Sequence, residues 1–186
     1  MAKIGVAVAV PEPWGSELRE YRMGTGDPQA AGVPTHVTLL APVEIADGDM
    51  GGVEKHLSTV AVQHAPFTLH LRGTGTFRPV TEVVFVAVAA GIAECERLAA
   101  SVRTGPLTYE ARFPYHPHVT VAHDVAPEQA DRVFDELAGY EARFGVEEFV
   151  LYAHWGDGVW RVQRRFPLLV LGGADSACLG GANETA

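Results

Sequence analysis

Hydrophobic and polar positions follow two periods along this chain, and the switches between them outline its elements. Ile4 to Val10 is a continuous apolar run halted by Pro11 and Glu12; it is too short to span a membrane, lacks a signal-peptide pattern and reads as a buried strand. Glu12 to Arg22 has mixed helical and loop character, ending in the turn residues Met23-Gly24-Thr25-Gly26-Asp27-Pro28. His36 to Leu40 reads as a strand, Asp47 to His64 as a helix with Val53, Leu57, Val60 and Ala61 on one face, and Phe67 to Leu71 as an alternating strand. Gly73 and Gly75 predict a turn or bulge, and Val83 to Val88 another strand. Ile92 to Val102 has the spacing of a helix whose buried stripe is Cys95, Leu98, Ala99 and Val102.

The second half repeats this order. Pro117 to Ala122 is a strand, and Pro127 to Gly139 a helix with proline near its start. Phe149–Tyr152 and Val159–Val162 form two strands around Gly156-Asp157-Gly158, whose Asp-Gly step signals a hairpin. No linker divides the chain, so the expected architecture is one α+β domain over residues 1–171, with two similar lobes and mostly antiparallel strands. Residues 172–186 have the small, polar composition of a disordered tail.

Charge and cysteine content narrow the function. A formal charge of −9 excludes a protein that grips long duplexes through a broad basic surface, while leaving short or terminal nucleic acids open. Cys95 and Cys178 are far apart and outside any metal-binding or disulfide spacing, which fits a reducing cytoplasm.

The chemistry lies in a repeat: Thr35-His36-Val37-Thr38-Leu39 and Pro117-His118-Val119-Thr120-Val121. In a strand, side chains two apart share a face, so each histidine lies beside its own threonine while the valines point into the core. Two such strands across a cleft would bring two imidazoles and two hydroxyls together. One neutral imidazole can take a proton from water while the other gives one to a leaving oxygen, and the hydroxyls can bond non-bridging phosphate oxygens. One copy of so short a motif is commonly structural, a half-buried histidine beside a β-favouring threonine; two copies on matching apolar strands are not readily explained that way.

With these motifs, the opening strand, and Leu71-Arg72-Gly73-Thr74-Gly75-Thr76-Phe77 ahead of Val83-Val84-Phe85-Val86, the chain resembles the two-histidine (2H) phosphoesterase superfamily over most of residues 3 to 170. That family includes the bacterial 2′-5′ RNA ligase and cyclic phosphodiesterase group. The resemblance implies two pseudo-symmetric α+β lobes with helices outside and the cleft between them, and catalysis by His36, Thr38, His118 and Thr120. It implies opening of a 2′,3′-cyclic phosphate or related diester to a monoester without metal or other cofactor, and in some members 2′-5′ joining of RNA ends. Many RNA-directed relatives carry an arginine shortly after the second motif, where this chain has His123 and Asp124.

Other residues are weaker candidates. Phe77, Tyr115 and His116 could meet a substrate at the cleft rim, with Arg78 and Arg112 lending charge; Phe113 is expected in the core, and Trp155 and Trp160 as cross-strand packing. A metal set of His116, His118 and His123 is disfavoured, because residues 118 and 123 of a regular strand point to opposite faces. P-loop and nucleophile-elbow motifs are absent. The expected partner is a cyclic nucleotide or RNA end, with neither long duplex nor membrane, and the expected state a monomer. The rival from another class is a binding module that holds such an end in the same cleft without turnover.

Overall fold

The computed structural model describes residues 2–46, 48–109 and 111–169; the expected tail, 172–186, lies outside them. In chain order the elements are β1 (Ala2–Ala9), α1 (Trp14–Gly24), β2 (His36–Ile45), α2 (Met50–Ala61), β3 (Phe67–Thr76), β4 (Val83–Ala90), α3 (Ile92–Val102), β5 (His118–His123), α4 (Pro127–Glu136), β6 (Glu141–Val146), β7 (Glu148–His154) and β8 (Arg161–Pro167). They build the expected α+β fold from two four-stranded antiparallel sheets, ordered β2-β1-β7-β8 and β5-β4-β3-β6. Each sheet thus has one histidine strand at its edge, paired to the strand that precedes it by one helix.

The two halves correspond as β1-α1-β2 with β4-α3-β5. The helices cross over: α1 packs against β5 of the other half and α3 against β2, while β2 and β5 themselves lie side by side. One hydrophobic core runs through both sheets. In β1 the bulky residues Ile4, Val6 and Val8 enter that core, whereas Gly5, Ala7 and Ala9 alternate with them and leave room on the other face. The same alternation in the motif strands buries Val37 and Val119 completely, each contributing about 1.5–3 kcal/mol through apolar burial and fixing the orientation of the histidines beside it.

Three elements differ from the sequence reading. Strand β6 is an addition to the predicted set, although Ala142, Phe144 and Val146 alternate strictly with exposed residues. The Asp-Gly step does not make a two-residue turn: residues 155–160 form a longer loop between β7 and β8, with Gly156 and Gly158 in the left-handed region at φ 88° and 79°. Glu12–Arg22 resolves into a true helix, α1, which buries Gly15, Leu18 and Arg22 along one face. The glycine pair of β3 behaves as anticipated, with Gly73 at φ 67° inside a register shift. Gly75 lies under the ring of Phe85, so close that a Cβ would sit 2.5 Å from it.

Candidate active site

The two motifs adopt matching local structures. His36 pairs with Ala9 and Thr38 with Ala7 on β1; His118 pairs with Ala87 and Thr120 with Phe85 on β4. In each strand the ladder then skips one residue, at Leu39 in β2 and at Val121 in β5. This bulge changes strand parity, so His118, Thr120 and His123 reach the same cavity. The opposite orientation expected for His123 assumed a regular strand and is overturned.

His36, Thr38, His118 and Thr120 line one cavity of about 340 Å³ between the two edge strands. His36 Nδ1 lies 2.6 Å from the carbonyl oxygen of Pro34, and His118 Nδ1 lies 2.7 Å from that of His116. A carbonyl can only accept, so Nδ1 is the donor in both rings, leaving each Nε2 to exchange protons with a bound group. Both imidazoles are pushed toward the neutral form. Burial is the main cause for His36, opposed by the Pro34 carbonyl and aided by the nearby Arg22 charge. For His118 burial again dominates; the His116 carbonyl opposes it, the His116 and His36 rings add repulsion, and the pKa falls to about 4. The His118 ring is packed by Phe77, edge-on at 5.0 Å, and by Phe85, tilted at 5.2 Å between centroids.

A second cavity of about 410 Å³ shares Thr38 and His118 with the first, so the motif residues stand at the junction of two spaces. Phe77, Tyr115 and His116 line it, together with Phe113, which is half exposed at the rim rather than in the core. Tyr115 also donates its hydroxyl to the Thr38 carbonyl at 2.9 Å, and Arg103 Nε donates to the Leu39 carbonyl at 2.7 Å. Those two bonds tie the bulge of β2 to the opposite lobe. Arg103 lies over the Tyr115 ring at 4.6 Å.

Arg78 and Arg112 line neither cavity. Arg78 pairs with Asp131 at 2.7 Å, and Arg112 is exposed, 5.1 Å from the Phe113 ring. Trp155 is exposed, whereas Trp160 lines the first cavity beside Tyr152. His56, His64 and His70 are engaged elsewhere, with the Val102 carbonyl, Ser101 and Glu141. Among the described residues no three His, Cys, Asp or Glu side chains converge as a metal centre would require.

Two further residues of the site, Arg22 and Arg103, are not among the sequence candidates. Aligning the halves on their His-x-Thr motifs finds both, since they stand 14 and 15 residues before the respective histidines, at the ends of equivalent helices.

A family model described as the 2′-5′ RNA ligase superfamily matches residues 10–158. A protein of Bacillus mycoides (strain KBAB4), provisionally named a phosphoesterase, is 30% identical over 144 residues, covering 76% of this chain and 83% of the relative. Among solved structures, E. coli LigT complexed with 3′-AMP superimposes with a TM-score of 0.63 at 23% identity, covering 90% of this chain and 98% of the other. A protein of Thermus thermophilus gives a TM-score of 0.63 at 24% identity, covering 91% and 100%.

Proposed function

The chain belongs to the 2′-5′ RNA ligase superfamily, the two-histidine phosphoesterases, and from that premise we propose that it hydrolyses a 2′,3′-cyclic phosphate, on a nucleotide or an RNA end, to a monoester. The observation that carries this reading is the matched pair of imidazoles lining one cavity, each with Nδ1 tied to the carbonyl two residues back and Nε2 left for chemistry. Water attacks phosphorus as its proton passes to the neutral Nε2 of one histidine. The P–O bond to one ribose oxygen breaks, and that oxygen takes the Nε2 proton of the other, protonated histidine. Thr38 and Thr120 donate to non-bridging oxygens as their charge grows. Solvent then resets the two protons.

The second cavity suits the nucleoside. Phe77, Tyr115 and His116 offer aromatic surface beside His118, and stacking a base there is worth roughly 1–3 kcal/mol. The 3′-AMP bound to E. coli LigT, a protein of the same fold, is a ligand of this class. Residues 1–171 act as one bilobal catalytic unit in this reading, since each lobe supplies one histidine and one threonine.

The test is an assay of purified protein against 2′,3′-cyclic nucleotides and cyclic-phosphate-ended RNA with a chelator present. Turnover to monoester under those conditions is expected, since the two imidazoles can move both protons themselves. Tight binding of these compounds without turnover would replace the enzyme with the binding module, and turnover abolished by the chelator and restored by a divalent metal would overturn the mechanism.

The pH dependence follows from the depressed imidazoles. One histidine must be neutral and the other protonated, so kcat/KM should trace a bell. Protonation of the free enzyme comes late on acidification, because burial lowers both groups and holds His118 near 4. Both limbs, which belong to the interacting pair, should therefore fall below the ordinary histidine value of about 6.5, with activity already falling as pH rises toward neutrality and lost again toward pH 4. A profile of kcat/KM from pH 4 to 9 checks this; an optimum above the ordinary histidine value of about 6.5 contradicts it.

A further inference from the structure

Although the protein carries a formal charge of −9, no carboxylate among the described residues lines either cavity. The first cavity contains instead a buried cation. Arg22 is only 7% exposed, lies on the packed face of α1, and contributes to the wall that holds His36, Thr38, His118 and Thr120. Its Nε donates to Asp27 Oδ2 at 2.7 Å, and the backbone N–H of Gln29 donates to the other Asp27 oxygen at 2.8 Å. This carboxylate therefore grips one edge of the guanidinium from behind. The terminal nitrogens of Arg22 make no hydrogen bond among the described residues, and no fully buried side-chain nitrogen or oxygen among those residues lacks a partner. Those free donors are therefore not sealed in the protein, and the residue that carries them lines the cavity.

A guanidinium fixed through Nε and open at its two terminal N–H₂ groups is a fork for oxyanions. Desolvating a cation is costly, and a carboxylate held behind it offsets that cost while leaving the front edge to a ligand. The counterpart beyond α3, Arg103, is placed differently: its Nε is committed to a backbone carbonyl and its face to tyrosine rings. Arg22 is consequently the cation of the phosphate cavity, and Arg103 belongs to the aromatic one.

We infer that Arg22, clamped by Asp27, binds a non-bridging oxygen of the phosphate held between the two histidines and so selects anionic esters. This rests on the phosphoesterase reading above and adds a specificity-determining residue to it. The cation comes from the helix that crosses from the other half, which accounts for a cleft able to hold phosphate with His123, rather than arginine, after the second motif.

Inorganic phosphate is a suitable probe, followed through the ring-proton NMR signals of His36 and His118. In the wild type both signals should shift on titration. In Arg22→Gln/Asp27→Asn, which removes cation and carboxylate together and leaves no unpaired buried charge, the dissociation constant should rise about 10–100-fold. Arg22→Lys keeps the charge without the fork and should lose affinity by roughly threefold or more while retaining part of the binding. Backbone amide spectra and melting temperatures close to wild type separate this from a structural defect; if the double variant does not fold, Arg22→Lys decides. Wild-type phosphate affinity in the folded double variant, or in Arg22→Lys, would overturn the role of Arg22 while the wild-type ring shifts still support a phosphate site. Absence of any ring shift in the wild type would instead overturn the phosphate reading and this inference with it.

Discussion

Replacing His36 or His118 with alanine should each abolish nearly all turnover of a confirmed cyclic phosphodiester substrate. A side chain that carries the proton in the transition state contributes about 10²–10⁴-fold, and no neighbour can substitute: His123 shares the cavity but follows the bulge, and His116 lines the other cavity. Because acid and base act in one step, their losses should not multiply, and His36→Ala/His118→Ala should be little slower than either single variant. Single-turnover rates on all three proteins, with melting temperatures to confirm folding, measure this. Either single variant retaining close to the wild-type rate would place the chemistry elsewhere.

The next largest effect is expected at the hydroxyls. Thr38→Ala and Thr120→Ala should each lower kcat by about 10²–10³-fold, the usual cost of removing one donor from a site where negative charge develops. KM should change far less, since the non-bridging oxygens gain charge only as the bond breaks. Serine at either position should restore much of the rate, because the hydroxyl is kept and only a methyl group is lost. A threonine variant that raises KM while leaving kcat intact would show that the hydroxyl holds the ground state and not the transition state.

The two cavities have unlike walls: one has Arg22 and the motif side chains, the other Phe77, Tyr109, Tyr115 and Arg103. Thr38 and His118 line both. In the function proposed above, a phosphate at that junction would place its charge toward Arg22 and its nucleoside toward the aromatic rings, so that the division of the cleft would match the division of a nucleotide into an anionic and an aromatic part. The Tyr115 and Arg103 bonds to the β2 bulge couple the aromatic wall to the catalytic strand, because the groups that shape one cavity also position Thr38 in the other.

The sequence by itself determined the elements whose cause is local. The apolar run from Ile4 to Val10, halted by Pro11, predicts β1, and the repeated His-x-Thr places each imidazole and hydroxyl on one strand face with Val37 and Val119 in the core; the motif placement follows from the period of two that any strand imposes. Strand β6, absent from the predicted set, is equally legible in its Ala142, Phe144, Val146 alternation. Only the tertiary structure decided what depends on register and on the packing of one half against the other. The bulges at Leu39 and Val121 leave no composition signal, yet the second turns His123 into the cavity against simple parity. The crossing of α1 onto β5 and α3 onto β2 brings Arg22 and Arg103 to the histidines, whereas the Arg78 expected at the cleft is drawn to Asp131. A side chain's surroundings are set by contacts between residues far apart in the chain, and an arginine that reads in sequence as an ordinary solvated charge becomes a buried cation when the helix carrying it packs against the opposite lobe.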